Sequence, residues 1–352
     1  MTDTVIVGAG LCGLALAEML EARGADYLLV EARDRTGGRI LSVPHGGSAV
    51  DMGPAWFWPG QPRIAALTKR LGLRKFDQFS DGALSFEDET GAVQRGRGYA
   101  SMAGSWRLEG GLVALTDVLT ARVPTARLRK GTAVTALQWD AEGVILGTRG
   151  RDVLRARRVI LALPPRLVAR IAFDPMPLGS VVAAWEQVPT WMAGQAKAVA
   201  IYPTPFWRDM GLSGDAMSRH GPMVEIHDAS PDDVSFGALF GFIGVPPSGR
   251  VDDAALRVAV MAQFERLFGG EAPLSLLIHD WAASPFTATA ADAAPLTAHP
   301  TYGLPKGAQH LWDGRVILSG TETARGFGGY LEGALEAAEA ALVQLEEGPL
   351  GA

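Results

Sequence analysis

Thr4-Val-Ile-Val-Gly-Ala-Gly-Leu-Cys-Gly-Leu14, followed by Leu28-Leu-Val-Glu31, is the stretch that decides the fold. Val5 to Val7 forms an apolar strand that runs into a turn carrying Gly8, Gly10 and Gly13. A helix is predicted from Leu14 to about Arg23, and a second strand, Tyr27 to Val30, ends on the acid Glu31. Gly8 allows a tight turn, Gly10 lets the backbone approach a pyrophosphate, and Gly13 lets the helix pack closely on the strand. The helix start offers unpaired N–H groups and a partial positive charge to phosphates. Glu31 stands at the strand tip, where it can accept hydrogen bonds from ribose hydroxyls. A glycine-rich turn alone is an ordinary feature. Strand, turn, helix, strand and acid at this spacing predict a dinucleotide site.

The next residues, Ala32-Arg33-Asp34-Arg35-Thr36-Gly37-Gly38-Arg39-Ile40, point to which dinucleotide. A nicotinamide site needs no second Gly-Gly-Arg turn directly after the ribose acid. A large buried FAD does, because Arg39 stays charged and reaches a diphosphate that the first turn half neutralises. Arg33 and Arg39 could otherwise be solvated surface charges; their place behind the fingerprint favours the FAD role.

With 352 residues, the chain can bury a large core and is expected to form two lobes. Its net charge of −6 gives no basic field for nucleic acid or anionic lipid. No apolar run is long enough to span a bilayer, and with the fingerprint this near Met1 no signal peptide is expected. One cysteine excludes an intrachain disulfide framework, and six scattered histidines have no metal-ligand spacing. No metal is expected, and the placement is cytoplasmic. Cys12, inside the phosphate turn, reads as a small space-filling residue beside the cofactor rather than a reactive thiol.

Further along, Pro62–Leu71 and Leu112–Ala121 read as helices, with a hairpin-like stretch between them. Ala133–Trp139, Val144–Thr148 and Val153–Ala156 suggest an antiparallel meander, and Arg158–Ala162 a separate buried strand. From Leu178 to Trp281 the composition shifts. Strand-like segments (196–202, 223–227, 236–242, 274–281) alternate with loops rich in Pro, Gly and Trp, and Asp252–Phe268 forms an amphipathic helix. Near the end a strand stops at Gly320, a glycine-rich turn follows, and a helix starts at Leu331. Its positive end suits the electron-rich edge of a flavin ring.

Taken together, the motifs resemble the flavin-containing amine oxidase family of monoamine and polyamine oxidases. The resemblance covers most of the chain, and its most specific blocks are Glu31–Arg39, Gly320-Thr-Glu-Thr323 and Gly329-Tyr-Leu-Glu-Gly333. It implies an α/β fold: a two-lobed, Rossmann-like FAD-binding domain of the glutathione-reductase type with a mainly antiparallel α+β substrate domain. The first would comprise 1–60, 105–170 and 285–352, the second 61–104 and 171–284. It also implies that Gly8, Gly10, Cys12 and Gly13 contact the pyrophosphate, Glu31 the ribose, and Arg33, Gly38 and Arg39 the diphosphate, with Ala32 also binding the cofactor. Val134 would face the adenine, Gly320, Glu322 and Leu331 the flavin end, and Gly53 would also bind the cofactor. Lys197 matches the family lysine that holds a water at flavin N5, Trp281 the tryptophan beside the flavin, and Tyr330 one wall of an aromatic pair. Trp56, Phe206 and Phe327 are expected to line the substrate pocket.

The departures are informative too. The covalently flavinylated relatives use a cysteine downstream of the tryptophan. Here that stretch, Trp281–Asp292, has none, so FAD should be noncovalent. Alanine stands near the place of the second aromatic wall, and the segment between Trp58 and Glu109 is short. The implied reaction moves a hydride from the carbon next to an amine to the flavin, with imine hydrolysis and reoxidation by oxygen or another acceptor. Flavoenzymes that oxidise C–C bonds share the nucleotide motifs, but Lys197 in its context argues against them. The intact glycines, Glu31 and Arg39 argue against a flavin-free binding protein of the same fold.

Overall fold

The computed structural model describes residues 1–347 except 271, 295, 297 and 310. Residues 348–352, the end of the last segment expected in the FAD-binding domain, lie outside the described residues.

Two sheets organise the chain. The first has eight strands, ordered 172–174, 134–140, 143–148, 153–162, 2–7, 27–30 and 128–129, with 316–319 also pairing 153–162. Thr2–Val7 runs parallel to Tyr27–Val30 on one side and to Val153–Ala162 on the other. Alternation along Thr2–Val7 sends Ile6 to one face and Val5 and Val7 to the other. The Ile6 face is covered by the N-terminal helix (Leu11–Ala22), the helix Val113–Arg122 and the C-terminal helix (Leu331–Glu347). The opposite face carries the meander, with Trp185 and Trp312 packed beneath it.

Three details depart from the sequence reading. Val153–Ala156 and Arg158–Ala162 are one ten-residue strand. Its first half pairs antiparallel with Gly143–Thr148, and its second half pairs parallel with Thr2–Val7 and Val316–Ser319. The helix Pro62–Arg70 buries Ile64 and Leu67 in the first lobe's core, although its place within 61–104 suggests the other lobe. It docks there because the buried Glu332 accepts hydrogen bonds from its first N–H groups, at Arg63 (3.0 Å) and Ile64 (2.9 Å). The N-terminal helix starts at Leu11, three residues before the predicted start, so Gly10 is its N-cap.

The second sheet has seven strands, ordered 275–280, 196–202, 237–243, 223–228, 212–218, 83–87 and 93–95. The amphipathic helix Asp253–Phe268 is capped by Asp252, whose carboxylate accepts from Ala255 N at 3.0 Å. It packs on Ala196, Ala198, Ala200 and Tyr202. The alternate residues Val199 and Ile201 join Phe240, Met52 and Trp56 on the opposite face, toward the first lobe. Lys197 shares the parity of Val199 and Ile201, and the pleat therefore points it between the lobes.

Candidate active site

A cavity of about 790 Å³ lies where the lobes meet, lined by residues of both. One end is built by the first glycine turn. Gly8 has φ +104°, and its N–H donates to Val30 O at 2.8 Å. A Cβ on Gly8 would lie 2.7 Å from Ala162 O. Gly10 caps the N-terminal helix without a side-chain hydrogen bond, so its first N–H groups face the cavity lined by Gly10, Leu11 and Cys12. A Cβ on Gly10 would meet only Gly38, at 3.9 Å, so the protein leaves space above this turn. Gly13 does not line the cavity; a Cβ there would run into the Gly8 carbonyl, so it serves the close helix–strand packing.

Glu31 is buried at the cavity wall. Its Oε2 accepts from Ala9 N at 2.8 Å and its Oε1 from Arg33 N at 2.9 Å. A carboxylate has about four acceptor positions, so capacity remains for sugar hydroxyls. Ala32, Arg33, Gly38, Arg39 and Val134 also line the cavity. Arg33 donates to Thr287 Oγ1 at 2.8 Å, and Phe286 lies between the Arg33 and Arg149 guanidiniums, 5.5 and 5.4 Å from its ring centre. Thr132, Arg149 and Phe286 also line this end; the sequence reading missed all three.

Arg39 is engaged differently from expectation. It forms a two-point ion pair with Glu322, Nη1–Oε1 at 2.5 Å and Nη2–Oε2 at 3.1 Å. Glu322 is fully buried and does not line the cavity. It orients Arg39, which does line the cavity and keeps further N–H donors. Burial opposes the Arg39 charge, but Glu322 outweighs that and raises its pKa. Gly320 and Leu331 line the same region, at the start of the C-terminal helix.

At the other end, Gly53, Lys197, Trp281, Tyr330 and Trp56 come together as cavity lining. Trp281 Nε1 donates to Met52 O at 2.9 Å, and Lys197 Nζ donates to Gly53 O, so both side chains from the second lobe hold the 52–53 turn. Lys197 lies over the Phe240 and Phe242 rings, 4.6 and 5.1 Å from their centres. Burial lowers its pKa from 10.5 to about 7, and the nearby Asp51 only partly opposes this. Tyr330 stacks on His299 (4.9 Å, 15°) and stands edge-on to Trp58 (6.2 Å, 87°). Trp58 also lines the cavity, as does Trp191, which the sequence reading missed. Trp56 donates to Gln78 Oε1 at 2.7 Å and meets the His227 ring edge-on at 5.3 Å. Burial disfavours a charged His227, yet its hydrogen bonds to Asp215 and Glu225 raise its pKa overall.

Two expected pocket residues lie elsewhere. Phe206 packs on Tyr202 and Trp207, each 5.2 Å away, at the edge of the second lobe's core. Phe327 does not line the cavity; its carbonyl accepts from Tyr330 N at 3.1 Å, closing the turn before the C-terminal helix. Cys12 lines the cavity 3.0 Å from Ser319 Oγ, and burial pushes its thiol pKa up to about 12. Among the described residues there is no His, Cys, Asp and Glu group that could hold a metal, and no helix long and apolar enough to cross a membrane.

The open turn above Gly10, the positive helix end, the available Glu31 lone pairs and a cavity lined from the glycine turn to Lys197 fit a dinucleotide such as FAD. Comparison with known proteins agrees. Residues 11–99 and 85–343 match the family described as flavin containing amine oxidoreductase. The putative flavin-containing monoamine oxidase AofH of Mycobacterium tuberculosis is 28% identical, covering 97% of this chain and 96% of the relative. That alignment runs over 445 positions against 352 residues here, so the relative carries segments this chain lacks. Putrescine oxidase of Kocuria rosea is 25% identical, covering 68% of this chain and 73% of the relative. Among solved structures, cyclohexylamine oxidase from Brevibacterium oxydans superposes with a TM-score of 0.80 at 21% identity, covering 98% of this chain and 99% of that one.

Proposed function

Because this chain belongs to the flavin-containing amine oxidoreductases, we propose that FAD lies noncovalently along the cavity with its reactive ring between Lys197, Trp281 and Tyr330. The chain is an FAD-dependent oxidoreductase that oxidises amines. When bound, FAD supplies the acceptor for the two electrons removed from the C–N bond. The protein binds, orients and excludes water. Gly8, Gly10 and the helix start hold the pyrophosphate, Glu31 the ribose, and Val134 the adenine. Arg39, fixed by Glu322, adds charge near the diphosphate.

Tyr330, Trp58 and Trp56 make an apolar approach that favours the neutral amine, the form able to lose a hydride from its neighbouring carbon. Water then hydrolyses the imine. The observation that carries this reading is Lys197: a buried amine on the cavity wall, held by a carbonyl and with a pKa near neutrality. In our reading it holds a water beside the flavin and supports the return of electrons to oxygen. The lone cysteine, with its raised thiol pKa, supports the noncovalent attachment. We place the reaction in the cytoplasm, with small amines and oxygen as partners.

The test is anaerobic mixing of the holoenzyme with a panel of primary amines while following flavin absorbance. Bleaching by at least one amine, with hydrogen peroxide formed on readmission of air, is expected. A flavin that stays oxidised throughout overturns the proposal.

A further inference from the structure

The chain leaves the second sheet at Asp280 and runs along the cavity, where Trp281, Pro285, Phe286 and Thr287 line it. Among the described residues, the backbone of 284–288 hydrogen-bonds only within this segment: Ser284 N to Trp281 O, and Thr287 N and Ala288 N to Ser284 O. Side chains alone therefore tie it to the first lobe. Arg33 Nη2 donates to Ser284 Oγ at 3.2 Å and to Thr287 Oγ1 at 2.8 Å. Between those two anchors, the Phe286 ring centre lies 5.5 Å from the Arg33 guanidinium and 5.4 Å from that of Arg149, both within cation–π reach.

Arg149 belongs to the first-lobe rim of the cavity. Val134, assigned to the adenine, pairs with Thr148, and the next residue, Arg149, donates its N–H to Ala133 O at 2.9 Å. The Arg149 side chain is exposed and, among the described residues, makes no hydrogen bond or ion pair; its engagement is with the Phe286 ring. Pro285, beside that ring, is exposed as well. The segment is thus a strap over one end of the cavity, held shut by one ring and two guanidiniums that the protein itself supplies.

We propose that Ser284–Thr287 is a gate for the cofactor, latched by Phe286 against Arg33 and Arg149, and that this latch sets the rate of FAD exchange rather than the affinity for FAD. The gate rests on the FAD-binding reading above. A closed strap obstructs entry and exit alike, so opening it speeds both and leaves their ratio nearly unchanged. A side chain that only touches bound FAD acts instead on release, as interface contacts do.

The experiment measures both rates directly. Uptake is followed by flavin fluorescence after stopped-flow mixing of deflavinated protein with FAD. Release is followed by exchange of the bound cofactor against excess radiolabelled FAD. Arg149→Ala is expected to raise both rates about tenfold, the loss of one partly desolvated cation–π contact, and to change Kd by less than about threefold. Phe286→Leu, which keeps an apolar side chain in place, has the same effect. Combining the two variants adds little, because both open a single contact. Release that rises alone, with Kd rising by the same factor, makes these residues ordinary cofactor contacts and overturns the gate. Unchanged rates in Arg149→Ala overturn it too, as do fully additive effects in the double variant. Amines play no part in the measurement, so none of these results touches the oxidation chemistry. A deflavinated protein that takes up no FAD removes the cofactor reading and the gate together.

Discussion

Lys197 pairs a large burial penalty with a carbonyl partner rather than a carboxylate. Its pKa is about 7 folded against 10.5 ordinarily, so between those values the unfolded chain binds the extra proton. Stability conferred by this residue therefore rises as pH goes from about 7 to 10.5. Lys197→Met is expected to be more stable than the parent at pH 7, with the difference shrinking toward pH 10.5, as read by urea unfolding of the deflavinated proteins. In the holoenzyme the same variant should keep its FAD and reoxidise more slowly in oxygen stopped-flow; unchanged reoxidation removes Lys197 from the reaction. Arg39 and Glu322 make a different residue-scale prediction. Glu322→Ala leaves a largely buried guanidinium unpaired and should cost about 3 kcal/mol in denaturant unfolding. Adding Arg39→Ala should recover part of that loss, because the stranded charge is gone.

At the scale of elements, the two glycines flanking Cys12 separate folding from binding. Gly13→Ala would force a side chain into the Gly8 carbonyl and should lower apoprotein stability together with FAD affinity. Gly10 has φ −75° and ψ −176°, which alanine adopts freely, and the protein has space there. Gly10→Ala should thus change apoprotein stability by less than about 0.5 kcal/mol. It should still weaken FAD at least tenfold by fluorescence titration, because the added methyl occupies the dinucleotide's path. The strand–turn–helix–strand unit was legible because its spacing, apolar pattern and terminal acid agree. The strand Val153–Ala162 was read as two because its pattern changes midway, from alternation in the meander to the continuous apolar run of a parallel sheet buried on both faces. Leu212–Ser218 escaped notice because its sequence, Leu-Ser-Gly-Asp-Ala-Met-Ser, buries polar side chains without a period. Trp191, Phe286 and Glu225 reach the cavity through loops, a strand irregularity and the meeting of lobes, none of which local sequence encodes. Phe206 and Phe327 failed for the complementary reason: aromatic character alone does not say which core a ring joins.

For the whole molecule, the cavity's two walls belong to different sheets, and Lys197 and Trp281 of one lobe grip the 52–53 turn of the other. Cofactor bound between them should tie the lobes thermodynamically. Free FAD at a thousand times its Kd should add about 4 kcal/mol to the stability of the deflavinated protein. Denaturation followed by near-ultraviolet signals from both lobes should sharpen into one transition; two separated transitions with FAD present would contradict that coupling. The first lobe is also assembled from distant parts of the chain. Val316–Ser319 completes its sheet, and the C-terminal helix packs against Leu11–Ala22. A nascent chain leaving the ribosome therefore carries its glycine turn uncovered, with an apolar helix face waiting, while the whole antiparallel lobe is synthesised. Only the distant helix Leu331–Glu347 can close that surface, so loading with cofactor must wait until the chain has been made through that helix.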